Sequence, residues 1–541
     1  MPDDVWQTLN LMSTNAHNRL IVKSVGVIMV GVLASRFLGF LREWTVAHLI
    51  GSNALTDTYY AAFSLPDILN YLVAGAAIEV IFVPVFWMYL ADDKKEEAWR
   101  VFSTIMTFVG LLLCVLIGFG EIFAVQLVRR VVAPGFNPAD QARVVFLTRL
   151  MLPAQLFLCL GMVLNAVQYT RSHFAMPVLG VIVANLGVVL GGWFLSSRIG
   201  IAGFAVGLLA GNFCGFFLLQ VIAVMRLGGR FRPNLHFGHP GFRLFLKLAF
   251  PIMLALSVIV TDDWLLRWFG SFLAPASISW LTYSKTLMRA PLMIVGHAVG
   301  VASFPLLTEL YAQGQMGELN RTLNHAIRGL LLFLVPVSAF AIALSDPIIY
   351  LVFSHTRMSS ADLHSTASAL VFFSIGMFAW GLQNLISRGF YAMRDMITPA
   401  IVGTTFTFLN IPLYWYLAHR WEFRGLAIAS SWSVIAYTIV IFILLVRKTG
   451  NPAAWELARF LARVVLACIP CAVCSYYLAH WLEARFVWQT TLGSLEVLLL
   501  VTPVGLALAV LSGRLLRIKE VEFYFSKVLA LLGTAPITVS N

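Results

Sequence analysis

The chain has 541 residues, of which 60% are apolar and only 11% charged, and its mean hydropathy is +0.85. A soluble domain devotes about a quarter of its residues to charge, so this composition excludes a set of water-soluble domains and indicates an integral membrane protein. The 37 Lys and Arg exceed the 25 Asp and Glu by 12, but they lie in short pieces between apolar runs. That pattern argues against nucleic acid and for basic loops retained on the cytoplasmic side.

Met1–Lys23 is polar and carries Arg19 and Lys23 just before the first apolar run, as expected ahead of an uncleaved first span rather than a cleaved leader. Apolar runs long enough to cross a bilayer follow near 24–41, 58–90, 101–128, 144–170, 175–197, 201–225, 244–270, 276–311, 325–353, 365–393, 396–418, 424–446, 458–481 and 489–513. The runs are continuous rather than alternating, which predicts an all-α polytopic protein of fourteen helices and rules against a barrel. With the N-terminus in the cytoplasm, 23 basic residues fall in inner loops and 11 in outer ones, placing both termini inside. Cys114, Cys159 and Cys214 lie singly in apolar runs, and Cys468, Cys471 and Cys474 share one without His or carboxylate, so they read as packing residues rather than metal ligands.

The sequence also repeats. A shift of 221 superposes Gly75 on Gly296, Ala77 on Ala298, Pro84 on Pro305 and Arg100 on Arg321; a shift of 222 brings Pro177 onto Pro399 and Gly203 onto Gly425. Ordered matches at a nearly constant offset predict two six-helix lobes in parallel orientation, the arrangement of transporters with a central cavity. The expected organisation is a cytoplasmic segment 1–23, an N-lobe 24–225, a linker 226–243, a C-lobe 244–446, two further helices within 447–513 and a cytoplasmic tail 514–541.

Charges inside the spans carry the functional argument, because an arginine in hydrocarbon costs at least about 2.5–3.5 kcal/mol and needs a partner or a wet cavity. Arg36 lies in the first span and Arg42 six residues on; a bend at Gly39 would aim both at one cavity, while pairing of Arg42 with Glu43 or Asp57 is the alternative. Lys285 and Arg289 are four apart on one helical face with no acid beside them, which predicts either an anion between them or an acid from another helix such as Glu79. Asp262 and Asp263 are adjacent in a span and form either a proton or cation site or a salt bridge with Arg267 one turn on. Asn185, Asn384 and Thr404–Thr407 are polar span residues able to line a path or bond across helices. No phosphate-binding GxxxxGK[ST] motif occurs, so the driving force is expected from Na+, H+, membrane potential or the substrate gradient, with no resident cofactor. A small-cation exporter would want acids where this chain has cations, and a non-transporting scaffold would tolerate their loss.

Ser35-Arg36-x-Leu38-Gly39-Phe40-x-Arg42-Glu43, Thr56-Asp57, Ala62-Phe63-x-Leu65-Pro66-Asp67, Phe82-Val83-Pro84, Ala133-Pro134-Gly135-Phe136, Ser279-Trp280 and Phe304-Pro305 together resemble the MurJ/MviN lipid II flippases of the multidrug/oligosaccharidyl-lipid/polysaccharide exporter superfamily. The resemblance runs from about Lys23 through the twelfth span. It implies two six-helix lobes plus two C-terminal helices whose groove holds a polyprenyl tail. It further implies a flippase, not an enzyme, that moves undecaprenyl-pyrophosphate-linked peptidoglycan precursor across the cytoplasmic membrane by alternating access, alongside membrane lipids and the peptidoglycan synthesis machinery. Under it Arg36, Arg42 and Asp57 match functionally important family positions, the arginines meeting the pyrophosphate. Joined to the reading of the span charges, this makes Arg36, Arg42, Lys285 and Arg289 the expected substrate-binding set, Asp57 and Glu79 gate or ion-pair residues, Asp262 and Asp263 coupling acids, and Gly39 a hinge. The chain departs from the family pattern at Asn70, Tyr71 and Gly75, and at Thr286, where the family's cavity arginine falls; another polyprenyl-linked glycan is the alternative substrate.

Overall fold

Apolar runs broken by glycine, proline and short charged turns fold into helices because hydrocarbon leaves no other partner for backbone N–H and C=O groups. The computed structural model describes residues 31, 33–73, 75–254, 258–485 and 487–522, and no strand occurs among them. In chain order the helices are α1 (33–49), α2 (Ala54–Ala62), α3 (Ser64–Leu72), α4 (Gly75–Ala91), α5 (Lys95–Leu127), α6 (Pro138–Thr170), α7 (Ala175–Ile199), α8 (Ala202–Asn212) and α9 (Leu219–Arg226). They continue as α10 (Pro240–Leu254), α11 (Val258–Gly270), α12 (Ser277–Ala312), α13 (Met316–Ala343), α14 (Ser345–Phe353), α15 (Ser360–Ile375), α16 (Met377–Ala392), α17 (Ile397–Thr449), α18 (Ala454–Glu483) and α19 (Thr491–Leu515). Among the described residues eight helices are long and apolar enough to span a bilayer, or nine when the bent pair α15–α16 is taken as one span.

Several of the fourteen expected runs are divided, for visible reasons. The run 58–90 is shared by α2, α3 and α4, with Pro66 in the first turn of α3, where its missing N–H costs nothing. The run 365–393 bends by 44° at Gly376, where a Cβ would lie 2.9 Å from the Ser431 backbone. Conversely, α17 covers two expected spans: its 53 residues would measure about 80 Å as one rod, and non-helical Trp421 and Glu422 fold it into two. The first expected span, 24–41, lies largely outside the described residues, and α1 continues beyond it to residue 49.

The chain forms two compact units. The first comprises residues 1–49, 62–132 and 138–254 and thus includes α10; the second comprises 50–61, 133–137 and 255–541. In the first unit α7 and α8 pack backbone to backbone: a Cβ at Gly187 would lie 2.4 Å from Gly211 Cα, and one at Gly191 2.5 Å from Gly207 Cα. Small residues serve here because association in lipid gains from close backbone approach rather than from hydrophobic burial. In the second unit α18 packs on α13 and α19 on α14, around Ala343, Leu344, Ala479, Leu482, Val497 and Val501.

Between α16 and α17, burial raises the Asp395 carboxyl, but bonds from Lys448 and from the Thr398 N–H and hydroxyl outweigh burial and hold it below its ordinary range. A depressed carboxylate contributes stability at and above its unfolded pKa and loses it as pH falls through the folded one. Asp395→Asn should therefore lower stability at neutral pH by about 1 kcal/mol or less and flatten the acid limb of a pH-dependent melting series. Gly187→Leu should destabilise by several kcal/mol, read as a lowered melting temperature in detergent, because the neighbour is backbone and cannot yield. Gly39→Ala meets nothing within 4 Å. It should stabilise by about 0.5–1 kcal/mol, and a fall in transport despite that gain would mark Gly39 as a hinge.

Candidate functional site

The charged residues of α11 and α12 come together in the second unit. Lys285 donates to Asp262 Oδ2 and, at 2.5 Å, to Asp263 Oδ1, while Arg289 Nη2 donates to both Asp263 oxygens at 3.0 and 3.1 Å. Asp262 also accepts from Tyr414 and, at 2.9 Å, from Ser430, both on α17. Over the cations lies Trp380, 5.3 Å from Lys285 Nζ and 5.7 Å from Arg289 Cζ, with Phe373 5.9 Å from Lys285. Sequence left two routes open for Lys285 and Arg289, an anion or an acid from another helix, and the structure supplies the acids from α11.

The cluster has two layers. Lys285 and Asp262 are buried, with side chains 4% and 3% exposed, whereas Arg289 and Asp263 are 34% and 29% exposed. A buried pair persists only when the remaining lone pairs are satisfied, and Tyr414 and Ser430 do this for Asp262. The outer pair is accessible, so its carboxylate can exchange with another anion at much lower desolvation cost. Two acids balance two bases, and Arg267 adds positive charge beside Asp263.

Asp57 is buried, and its Oδ1 accepts from Ser279 N at 2.8 Å, in the first turn of α12. The residue before that helix, Ala276, has φ +77° and provides no side-chain cap, so Asp57 supplies the missing acceptor at the helix N-terminus. Ser52 Oγ bonds Ser279 Oγ at 2.9 Å, and Thr56 Oγ1 bonds the Gly51 carbonyl at 2.8 Å. Gly51 itself has φ +88° and would place a Cβ 2.8 Å from the Arg357 carbonyl, so only glycine fits the turn.

In the first unit Arg42 pairs with the buried Glu43 at 2.6 Å, and Glu79 accepts from Asn165 at 3.1 Å. Arg36 is exposed on α1, which runs helically through Gly39. Of the polar span residues, Asn185 and Asn384 donate to carbonyls one turn back in their own helices, as do Thr404 and Thr405. Thr286, at the position of the family's cavity arginine, likewise bonds the Thr282 carbonyl. Thr407 bonds the Gly403 carbonyl in the same way and in addition meets Thr261 at 2.9 Å beside the acid pair. Sequence reading missed Tyr414, Ser430 and Trp380; the only available signal was a tyrosine or serine in an apolar run, which is too common to select.

The described residues are helical, with eight or nine apolar spans and a buried ion pair inside the bundle, which places the chain among polytopic membrane proteins with charge in their interior. A family model described as lipid II flippase MurJ matches residues 46–495, and the chain belongs to that family. Relatives named probable lipid II flippase MurJ are 26% identical over 512 residues in Vibrio cholerae, covering 91% of this chain and 95% of that one, and 28% over 513 residues in Rhizobium tropici, covering 90% and 91%. A solved lipid II flippase MurJ in an inward closed conformation shares the fold with TM-score 0.73 at 21% identity, covering 90% of this chain and 98% of that one. An inward-facing multidrug resistance MATE transporter gives TM-score 0.60 at 14% identity, covering 77% and 99%. The all-α transporter class read from the sequence is borne out.

Lys285→Met should cost about 3–5 kcal/mol by stranding Asp262, and Asp262→Asn in the same chain should recover part of that loss, as measured by thermal melting in detergent. Asp57→Ala should cost about 1–2 kcal/mol, while Asp57→Asn, which keeps the acceptor, should cost less.

Proposed function

We propose that this chain is a lipid II flippase of the bacterial cytoplasmic membrane, carrying the undecaprenyl-pyrophosphate-linked glycopeptide from the inner to the outer leaflet by alternating access. Family membership over residues 46–495 carries this reading. The half-exposed Arg289–Asp263 pair supports it chemically, because a guanidinium already holding a carboxylate can hold a pyrophosphate oxygen in its place. In this cycle the substrate displaces Asp263 from Arg289, Lys285 stays locked to Asp262, and Arg36 and Arg42 supply the cations of the first unit. Asp263, then held by Lys285 alone, is the point at which a proton or sodium ion enters, or at which the membrane potential acts. Both termini face the cytoplasm in this reading, and α18 and α19 hold the polyprenyl tail next to the peptidoglycan synthesis machinery.

The test is replacement of the resident flippase by this chain in cells that have no second one, with external labelling of lipid-linked precursor. Growth and normal labelling are expected for the unaltered chain. Arg289→Gln and Arg36→Gln should each reduce labelling at least tenfold while the protein remains in the membrane. Failure of the unaltered, correctly inserted chain to expose precursor would refute the reading, and rescue of a different polyprenyl-linked glycan instead would reassign the substrate.

A further inference from the structure

The segment 226–247 carries Arg226, Arg230, Arg232, Arg243 and Lys247 and contains no acid. All five cations are exposed, as are Phe231, Leu235 and Phe237. The segment begins where the spanning helix Ala202–Arg226 ends and rejoins the helical bundle at α10, so it runs at the level of the membrane surface. Its backbone is irregular from 229 to 236, and α5 holds it by one edge. Ser103 Oγ receives the Arg232 N–H at 3.1 Å and reaches the Arg230 carbonyl at 3.5 Å, and Thr104 donates to Asn234 Oδ1 at 2.5 Å. At its far end His239 bonds Glu97 at 2.8 Å, and the same Glu97 is engaged by Arg100, so the acid that touches the segment is already paired.

The strap is fixed to α5 and α10, with Phe231 against Phe102 and Phe237 against Phe108 and Phe242, yet it leaves five cations, Leu235 and about half of each ring exposed and carries no carboxylate. That surface is complementary to an anionic lipid surface: phosphate oxygens meet the guanidinium groups and the exposed apolar area enters the acyl boundary. We propose that residues 226–247 form a docking surface for the phosphodiester headgroups of an anionic leaflet, independently of which lipid-linked substrate the chain transports. The cations act as an electrostatic set rather than as one shaped pocket, since they are spread over 22 residues.

The experiment uses the full-length chain in neutral detergent, titrated with phosphatidylglycerol or phosphatidylcholine, with retained lipid counted by native mass spectrometry. The wild type should retain phosphatidylglycerol preferentially, less so at high salt. Replacing Arg230, Arg232 and Arg243 by Gln removes three charges and should raise half-saturating phosphatidylglycerol at least tenfold, with phosphatidylcholine retention and melting temperature unchanged. The corresponding Lys triple variant should bind as the wild type does, because a leaflet reads point charge; loss in that variant would mean a shaped anion site and overturn the proposal. Leu235→Gln should weaken phosphatidylglycerol retention severalfold. Equal retention by the Gln triple variant, equal loss of both lipids, or displacement of phosphatidylglycerol by millimolar inorganic phosphate would each overturn it.

Discussion

A lysine buried in an apolar bundle must have an acid, and Lys285 is held by Asp262 in a site where Tyr414 and Ser430 complete the hydrogen bonding. This pair fixes how α11, α12 and α17 meet, because no member can withdraw without stranding a charge in low dielectric. Arg289, one turn along α12, and Asp263, the residue next to Asp262 on α11, face an accessible space. The deep pair thus sets the register, and the shallow pair supplies the chemistry.

The start of α12 rests on a related constraint. Its first turn has no cap of its own, and Asp57 provides one from α2. Residues 50–61 belong to the second unit for this reason among others: Ser52 and Thr56 add bonds, and Tyr60 and Tyr283 meet edge to face at 5.9 Å. The helix that carries Lys285 and Arg289 is therefore anchored at its beginning by a carboxylate and along its length by two more. A change at Asp57 is expected to reach the cation cluster through helix position rather than through direct contact.

Much of this was legible in the sequence. Apolar run length gave the polytopic all-α class, and the rarity of charge inside those runs singled out Lys285, Arg289, Asp262 and Asp263, because intramembrane charges are kept only for a reason. Their mutual pairing was not legible. Residues 262 and 285 are separated by a helix end and a turn, and nothing in a one-dimensional pattern says which faces converge. The i, i+4 spacing placed Lys285 and Arg289 on one face but left the identity of their counter-ion open. Asp57 looked like an ion-pair residue because capping of a helix more than 200 positions away leaves no local trace. The bend at Gly376 escaped for a similar reason, since it depends on the backbone of a neighbouring helix, whereas the fold-back at Trp421 and Glu422 falls in the gap already expected between the runs 396–418 and 424–446.

In the proposed cycle the substrate pyrophosphate and Asp263 compete for Arg289. Binding of an undecaprenyl-pyrophosphate-linked precursor to the purified chain, compared between wild type and Asp263→Asn, tests it most directly. Removal of the competing carboxylate should tighten binding several-fold while Arg289→Gln weakens it. Unchanged or weaker binding by Asp263→Asn, in a protein that melts as the wild type does, would show that Asp263 and the pyrophosphate do not share Arg289.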